Sequence, residues 1–118
     1  MTWNAALKVS YERPIAGREA KAMEVFADAL TIFGKLAADD KCAAPEVFHH
    51  LIGGGMFIVK TETVEIAHEI LDMDEVRKVL DTAVFTVSDF DVEIMVTGES
   101  LMHNMSLYTA IGSELGYI

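Results

Sequence analysis

Three consecutive glycines, Gly53 to Gly55, lie between two short apolar runs, and this segment constrains the fold more than any other. The runs cover residues 47–52 and 56–60 and are rich in β-branched and aromatic side chains, which suit strands. Glycine supplies the positive φ values that a tight reversal requires. The segment is therefore predicted to be a β-hairpin of strands 2 and 3, with helix-like segments on both sides.

The spacing of apolar residues predicts the elements around this hairpin. Period-two alternation predicts strand 1 over 5–12 and strand 4 over 90–97. Apolar residues at helical spacing predict helix 1 over 18–38, with an unusually broad apolar face. A second helix follows the hairpin and is predicted to break near Asp72 and Glu75, which have the spacing of a capping box.

A final helix is predicted over about 99–116, after Gly98 ends strand 4. The element order β-α-β-β-α-β-α predicts an α+β, ferredoxin-like βαββαβ fold, in which an antiparallel four-stranded sheet carries its helices on one face. One domain is expected over 1–118. The final helix either caps a cavity of its own chain or reaches across to a partner.

Strands 2 and 3 are apolar on both faces, whereas strands 1 and 4 alternate apolar with polar residues. A sheet with such a second face suits a homodimer in which two sheets face each other around a partly polar cavity. Apolar residues make up 52% of the 118-residue chain, which also favours self-association. The homodimer and its open-face cavity are therefore the expected setting for function.

The charge balance excludes several partners. Nine Lys and Arg against nineteen Asp and Glu give a net charge of -10, which repels nucleic acids and anionic lipid heads. A single cysteine, Cys42, forms no internal disulfide and suits a reducing compartment. Since the sequence also shows no signal peptide and no membrane-length apolar run, a small, acidic, soluble cytoplasmic protein is expected, with no nucleic acid and no membrane as partner.

The candidate site residues are those that strand alternation places on the open sheet face, together with two adjacent histidines. Neighbouring residues of a strand point to opposite faces, so only one of the two histidines reaches the cavity. It is His50 if Val47 and Leu51 face the helices. The predicted ligand-binding residues are Lys8, Ser10, His49, His50, Glu93 and Met95, and the catalytic candidates among them are His50, Glu93 and Lys8.

Metal and cofactor motifs are weak in this chain. Glu65 with His68, and Glu99 with His103, can each place two ligands on one helix face, but a dinuclear carboxylate site needs a second Glu-x-x-His motif. The glycine run fails the dinucleotide fingerprint because Ile58 occupies the third glycine position and the run joins two strands. No metal and no cofactor are expected.

The segments 53–60, 64–71 and 72–76 together resemble the glycine-strand, helix and Asp-bearing break of YCII-like proteins, and of the wider dimeric α+β barrel superfamily. The resemblance covers roughly residues 48–80. It implies a homodimer that holds a small organic ligand or substrate between sheet and helices. The superfamily includes cofactor-free oxygenases, isomerases and haem-degrading enzymes.

The catalytic residues of these relatives match this chain only in part. YCII-like proteins pair a histidine near the start of helix 1 with an aspartate, which Asp74 matches, but residues 18–23 contain no histidine. The haem-degrading branch uses an asparagine, a tryptophan and a histidine. Asn4 and His68 match two of these, while Phe57 or Val59 stands in place of the tryptophan.

Two functions follow from these patterns. The first is a non-catalytic homodimer that binds a small organic molecule in the cavity on the open sheet face, where its polar groups form ion pairs. The alternative is a cofactor-free small-molecule enzyme of the oxygenase or isomerase type.

Overall fold

The computed structural model of the chain describes residues 2–117, except for the side chains of 99–101. The described residues form four strands and four helices. In chain order they are β1 (Ala5–Tyr11), α1 (Glu19–Ala38), β2 (Glu46–His49), β3 (Gly55–Thr61), α2 (Val64–Leu71), α3 (Asp74–Ala83), β4 (Phe90–Val96) and α4 (Gly98–Glu114).

The four strands form one antiparallel sheet in the order β2-β3-β1-β4. Helices α1, α2 and α3 cover one face of this sheet, and the core lies between them and the two central strands. This is the ferredoxin-like α+β architecture that the element order predicts. The second sheet face carries no helix among the described residues.

The core is built from residues that alternate along β1 and β3 and recur at helical spacing on α1. Ala22, Val25, Ala29, Phe33 and Leu36 form the buried face of α1, one residue every three or four positions, as an amphipathic helix on a sheet requires. The side chains that they meet, or that complete the core around them, are Leu7, Val9, Phe57, Val59, Ile70 and Val76.

The break in the second helix is confirmed, but the predicted capping box is wrong. Helix α2 is capped by Thr63, whose hydroxyl accepts a hydrogen bond from the Ile66 backbone N–H at 3.1 Å. Helix α3 begins after Met73, whose extended backbone (φ -67°, ψ 134°) interrupts the helix, and no side chain caps α3. Asp72 instead ends α2, so it cannot serve α3 as a cap.

The hairpin is also looser than its sequence predicts. Strand β2 ends at His49, and residues 50–54 form a five-residue loop closed by two backbone hydrogen bonds, from His50 N to Gly54 O (3.0 Å) and from Gly53 N to His50 O (3.3 Å). Leu51 and Ile52, predicted in strand 2, are fully exposed in this loop. The reversal therefore starts at His50, before the first glycine. Gly53 and Gly54 then complete the loop with positive φ values (105° and 79°).

Helix α4 leaves the sheet at the end of β4. Its N-cap, Thr97, is fixed to the segment before β1, because its hydroxyl donates to the Trp3 carbonyl at 2.6 Å and its N–H to the Asn4 carbonyl at 2.7 Å. From there most described side chains of α4 are exposed, among them Met102, Met105, Tyr108 and Ile111. It does not cap a cavity of its own chain. Across the described residues, no helix has the length and apolarity to cross a membrane.

Two glycine substitutions with opposite expected signs test this description. A Cβ on Gly55 would overlap the Phe48 carbonyl oxygen in the neighbouring strand, so Gly55→Ala should lower the free energy of unfolding by about 1–3 kcal/mol. Gly34, inside α1, has open space around the position of a Cβ, so Gly34→Ala should raise it by about 0.5–1 kcal/mol. Urea unfolding measures both. Equal effects of the two changes would contradict the hairpin geometry.

Candidate functional site

The register of the sheet assigns each predicted site residue to a face. Lys8 lies opposite Glu93, and Ser10 lies opposite Asp91, on the face that carries no helix. Lys8 and Glu93 nevertheless form no ion pair; among the described residues, ion pairs join Lys21 to Glu24 and Lys60 to Glu46. The prediction that open-face polar groups pair with each other is therefore wrong for Lys8 and Glu93.

A cavity of about 440 Å³ lies at the hairpin end of the open face. Ser10, His49 and His50 are in its wall, but Lys8, Glu93 and Met95 are not. The wall also contains Glu12, Phe48, Met56, Asp89 and Asp91. The structure thus brings together only part of the predicted set, in a site with three carboxylates.

A second cavity, of about 540 Å³, lies on the opposite side of the sheet, between β1, β3, α1 and the end of α3. Most of its wall is apolar, and it includes Val9, Met23, Phe26, Leu30, Leu80 and Phe90. Glu12 is the acidic residue of this wall and is exposed. We refer to this space as the helix-side cavity.

Besides Glu12 and Thr86, the polar residues in the wall of the helix-side cavity are Tyr11 and His49, which also line the open-face cavity. Tyr11 Oη and His49 Nε2 are 2.9 Å apart and hydrogen-bonded. The two residues belong to strands that are not neighbours, and both are paired in register with Gly55 of the strand between them. A Cβ on Gly55 would lie against the Phe48 carbonyl oxygen and the His49 Cα of the neighbouring strand. Without a side chain there, β2 approaches β3 closely enough to bring His49 toward Tyr11.

Aromatic rings surround this pair. The Phe26 ring on α1 packs edge-to-face against both partners, with ring centroids 5.1 Å from His49 and 5.7 Å from Tyr11. Phe26 also contacts Phe57, which in turn packs against Phe33 in the core. Edge-to-face contacts of this kind fix ring orientation, so the hydrogen-bonded pair is held on a rigid aromatic support.

Burial raises the pKa of Tyr11 to about 12, because the phenolate loses the water that would stabilise its charge. The phenol is therefore protonated at neutral pH and serves as a hydrogen-bonding group rather than as a base. Burial also raises the pKa of the Cys42 thiol. Cys42 packs in the core, so it is an inert packing residue and not a nucleophile.

Sequence reasoning missed Tyr11 and Phe26 as site residues. Alternation places Tyr11 on the core face of strand 1, where a phenol requires a hydrogen-bond partner. That requirement, together with the nearby histidines, is the feature of the sequence that points to Tyr11 as a site residue. His49 was in the predicted set, and the structure places it on the helix side because Val47, on its face, pairs with Phe57 of the core.

The residues matched to enzyme families lie elsewhere. Asn4, His68 and Asp74 are absent from the walls of both cavities. Within the part of the chain that the structure describes, no three His, Cys, Asp or Glu side chains are close enough to hold a metal ion. The geometry therefore offers a hydrogen-bonding site in an apolar cavity and no metal-binding cluster among these residues.

Comparisons with known proteins support the fold. No family model and no curated protein matches this sequence. Solved structures do match it. One is a "putative antibiotic biosynthesis monooxygenase" from Deinococcus radiodurans, with a TM-score of 0.59 and 17% identity over 80% of this chain and 93% of that one.

Two further structures come from Bacteroides species. A conserved protein of unknown function from Bacteroides thetaiotaomicron, described as a "possible oxidoreductase", has a TM-score of 0.65 and 11% identity over 81% of this chain and 100% of its own. A dimeric protein of unknown function and ferredoxin-like fold from Bacteroides fragilis has a TM-score of 0.57 and 7% identity, with the same coverage. These matches show that the chain has the ferredoxin-like fold; the narrower YCII-like resemblance is not shown.

The raised pKa of Tyr11 predicts a late step in alkaline titration. Ultraviolet absorbance of phenolate should show one tyrosine that ionises near pH 12, and Tyr11→Phe should remove that step. The folded chain holds this proton more tightly than the unfolded chain, in which the pKa is about 10. The contribution of this proton to the free energy of unfolding is thus fully present below pH 10 and is lost between pH 10 and about 12.

Urea unfolding across that pH range provides the second measurement. The midpoint for the wild type should fall more steeply than the midpoint for Tyr11→Phe. A variant that loses an early ionisation step and keeps the late one would place Tyr11 in water instead.

Proposed function

We propose that this protein binds a small, neutral, largely apolar organic molecule in the helix-side cavity, where the ligand's one polar group hydrogen-bonds to the Tyr11–His49 pair. The observation that carries this proposal is the combination of an apolar cavity of about 540 Å³ with a single hydrogen-bonded pair in its wall. Ligand sites are typically apolar clefts of about 300–1,000 Å³ with a few placed polar groups.

The chemistry of the wall supports a ligand with a flat ring system. Phe26 and Phe57 present ring faces and edges beside the pair, and aromatic contacts of this type favour another ring. Since the wall contains an exposed carboxylate, Glu12, and the chain carries a net charge of -10, an anionic ligand is disfavoured. A hydroxyarene fits both requirements.

We also propose that the protein acts as a homodimer. A structural neighbour is described as dimeric, and the open sheet face of a single chain exposes Phe48 and Met95. In such a dimer the second copy would cover the open-face cavity with His50 in its wall. That cavity is the alternative location for the ligand, as the strand alternation predicted.

Binding of 2-naphthol, followed by its fluorescence, distinguishes the two locations. His49→Ala should weaken binding by about tenfold, the loss expected for one hydrogen bond of about 1.4 kcal/mol. His50→Ala, a change of the same size at the adjacent position on the other side of the sheet, is the matched control and should leave affinity unchanged.

Naphthalene, which lacks the hydroxyl, provides the matching ligand control. It should bind wild type and His49→Ala equally well. The helix-side assignment is overturned if His50→Ala weakens 2-naphthol binding, whatever the effect of His49→Ala, because His49 lines both cavities whereas His50 lines only the open-face cavity of the two.

A second candidate function is cofactor-free oxygenation of the bound molecule. The neighbour described as a monooxygenase and the position of His49 beside the cavity favour it. A neutral imidazole within hydrogen-bond reach of a ligand hydroxyl can accept its proton, and the resulting electron-rich anion is the species that reacts with dioxygen. Tyr11, which stays protonated, would hold His49 in place.

Oxygen uptake in the presence of fused-ring hydroxyarenes tests this candidate. If the protein is an oxygenase, His49→Ala should lower the rate by about a hundredfold or more, the usual contribution of a general base. His50→Ala again serves as the control. Ligand binding without any oxygen uptake by the wild type would leave the binding function and reject the enzymatic one.

A further inference from the structure

Helix α4 presents an apolar surface that its own chain does not cover. Met105, Tyr108, Ile111 and Leu115 recur at intervals of three or four residues and are all at least half exposed. Residues 100–113 contain no Asp, Glu, Lys or Arg. An isolated helix with an apolar stripe and no charge over most of its length is poorly solvated, so this surface requires a partner.

The β2 hairpin presents the second such surface. Val47 and Phe48 are exposed on the edge strand, and Leu51 and Ile52 are fully exposed in the loop. Residues 47–59 also lack Asp, Glu, Lys and Arg, which makes this segment and 100–113 the two longest uncharged stretches of the sequence. In a chain with a net charge of -10, these are the two surfaces at which a second copy meets least repulsion.

The two surfaces cannot meet within one chain. Strands β2 and β4 are opposite edges of the sheet, separated by three strand spacings, or about 14 Å. Their ends are opposite as well, because α4 starts beside Asn4 whereas the hairpin loop lies beside Arg13. Beyond its start, most described side chains of α4 are exposed.

We infer that α4 of one copy packs its apolar stripe against the β2 hairpin of a second copy, and that the exchange is reciprocal. A contact between two different surfaces closes into a dimer only if each copy gives its helix and receives one; otherwise it continues into a filament. Helix α4 has 17 residues and so a length of about 25 Å, enough to cross the hairpin and the loop.

This exchange would support the cavity wall from outside. Gly53, Gly54 and His49 of the hairpin line the helix-side cavity, so a helix seated on the outer side of the hairpin fixes the position of His49. This last step rests on the proposed function; the helix exchange itself does not.

Paired charge substitutions on α4 test the exchange. Ile111→Glu introduces a carboxylate on the apolar stripe and should raise the dimer dissociation constant by at least about tenfold in analytical ultracentrifugation. Ser113→Glu adds the same charge to an exposed position on the other side of the same helix. It should change the constant by less than about twofold.

Cysteine cross-linking then locates the contact. After subunit exchange between Ile52→Cys and Tyr108→Cys proteins, a short bismaleimide should link one to the other. Ser106→Cys, on the opposite side of α4 from Tyr108, replaces Tyr108→Cys in the control and should give no link. A monomeric wild type, a dimer that tolerates Ile111→Glu, or Tyr108→Cys that links only to itself would each overturn the exchange.

The affinity for 2-naphthol separates the two proposals. If Ile111→Glu yields monomers that bind 2-naphthol several-fold more weakly, the exchange supports the cavity. If monomers bind it with wild-type affinity, the helix exchange stands and its link to the cavity is rejected. If the wild-type dimer binds no 2-naphthol, the proposed function fails while the cross-linking result still decides the exchange.

Discussion

The hydrogen bond between Tyr11 and His49 crosses an entire strand, and it depends on the absence of a side chain at Gly55. Both partners are in register with this glycine, and the Phe48 carbonyl oxygen already occupies the place of a Cβ there. The absence of a side chain at Gly55 therefore permits the close approach of β2 and β3. Both the hairpin and the position of His49 beside Tyr11 depend on that approach.

The two faces of the sheet differ in the side chains that they carry. The helix-side face contains the aromatic rings that extend from Phe33 in the core to His49 at the edge strand, so rigidity in the core is transmitted directly to the polar pair. The open face carries Lys8 on β1 and Glu93 on β4, which form no ion pair with each other, beside the apolar side chains of Met56 and Ile58 on β3. A surface that mixes charged and apolar side chains suits an interface with bridging water molecules, in which the charges stay hydrated.

Periodicity predicted the elements well because alternation along β1 and β4, and helical spacing along α1, depend only on which face is buried. Periodicity failed at loops and helix ends, where the backbone does not follow a regular repeat. Leu51 and Ile52 extend the apolar run of β2 by composition, yet the positive φ values of Gly53 and Gly54 carry them into an exposed loop. Asp72 and Glu75 have capping-box spacing, but Asp72 already ends the preceding helix.

The helix-side cavity was beyond sequence reasoning for a different reason. Its polar pair joins residues 38 positions apart, and their proximity follows only when the registers β1–β3 and β3–β2 are combined at one glycine. Alternation predicts the face of a residue but not its level along the sheet. His49 therefore entered the candidate set through its chemistry alone, and Tyr11 did not enter it.

Charge distribution connects the cavity to the mode of assembly. Residues 60–99 contain eleven acidic and three basic residues, so two copies of the proposed dimer would repel one another where these residues meet. Residues 47–59 of the hairpin and 100–113 of α4 carry no Asp, Glu, Lys or Arg and escape this repulsion. The same segment contributes His49 to the wall of the helix-side cavity. In the two proposals, the preference for a neutral ligand and the choice of contact surface thus follow from one distribution of charge.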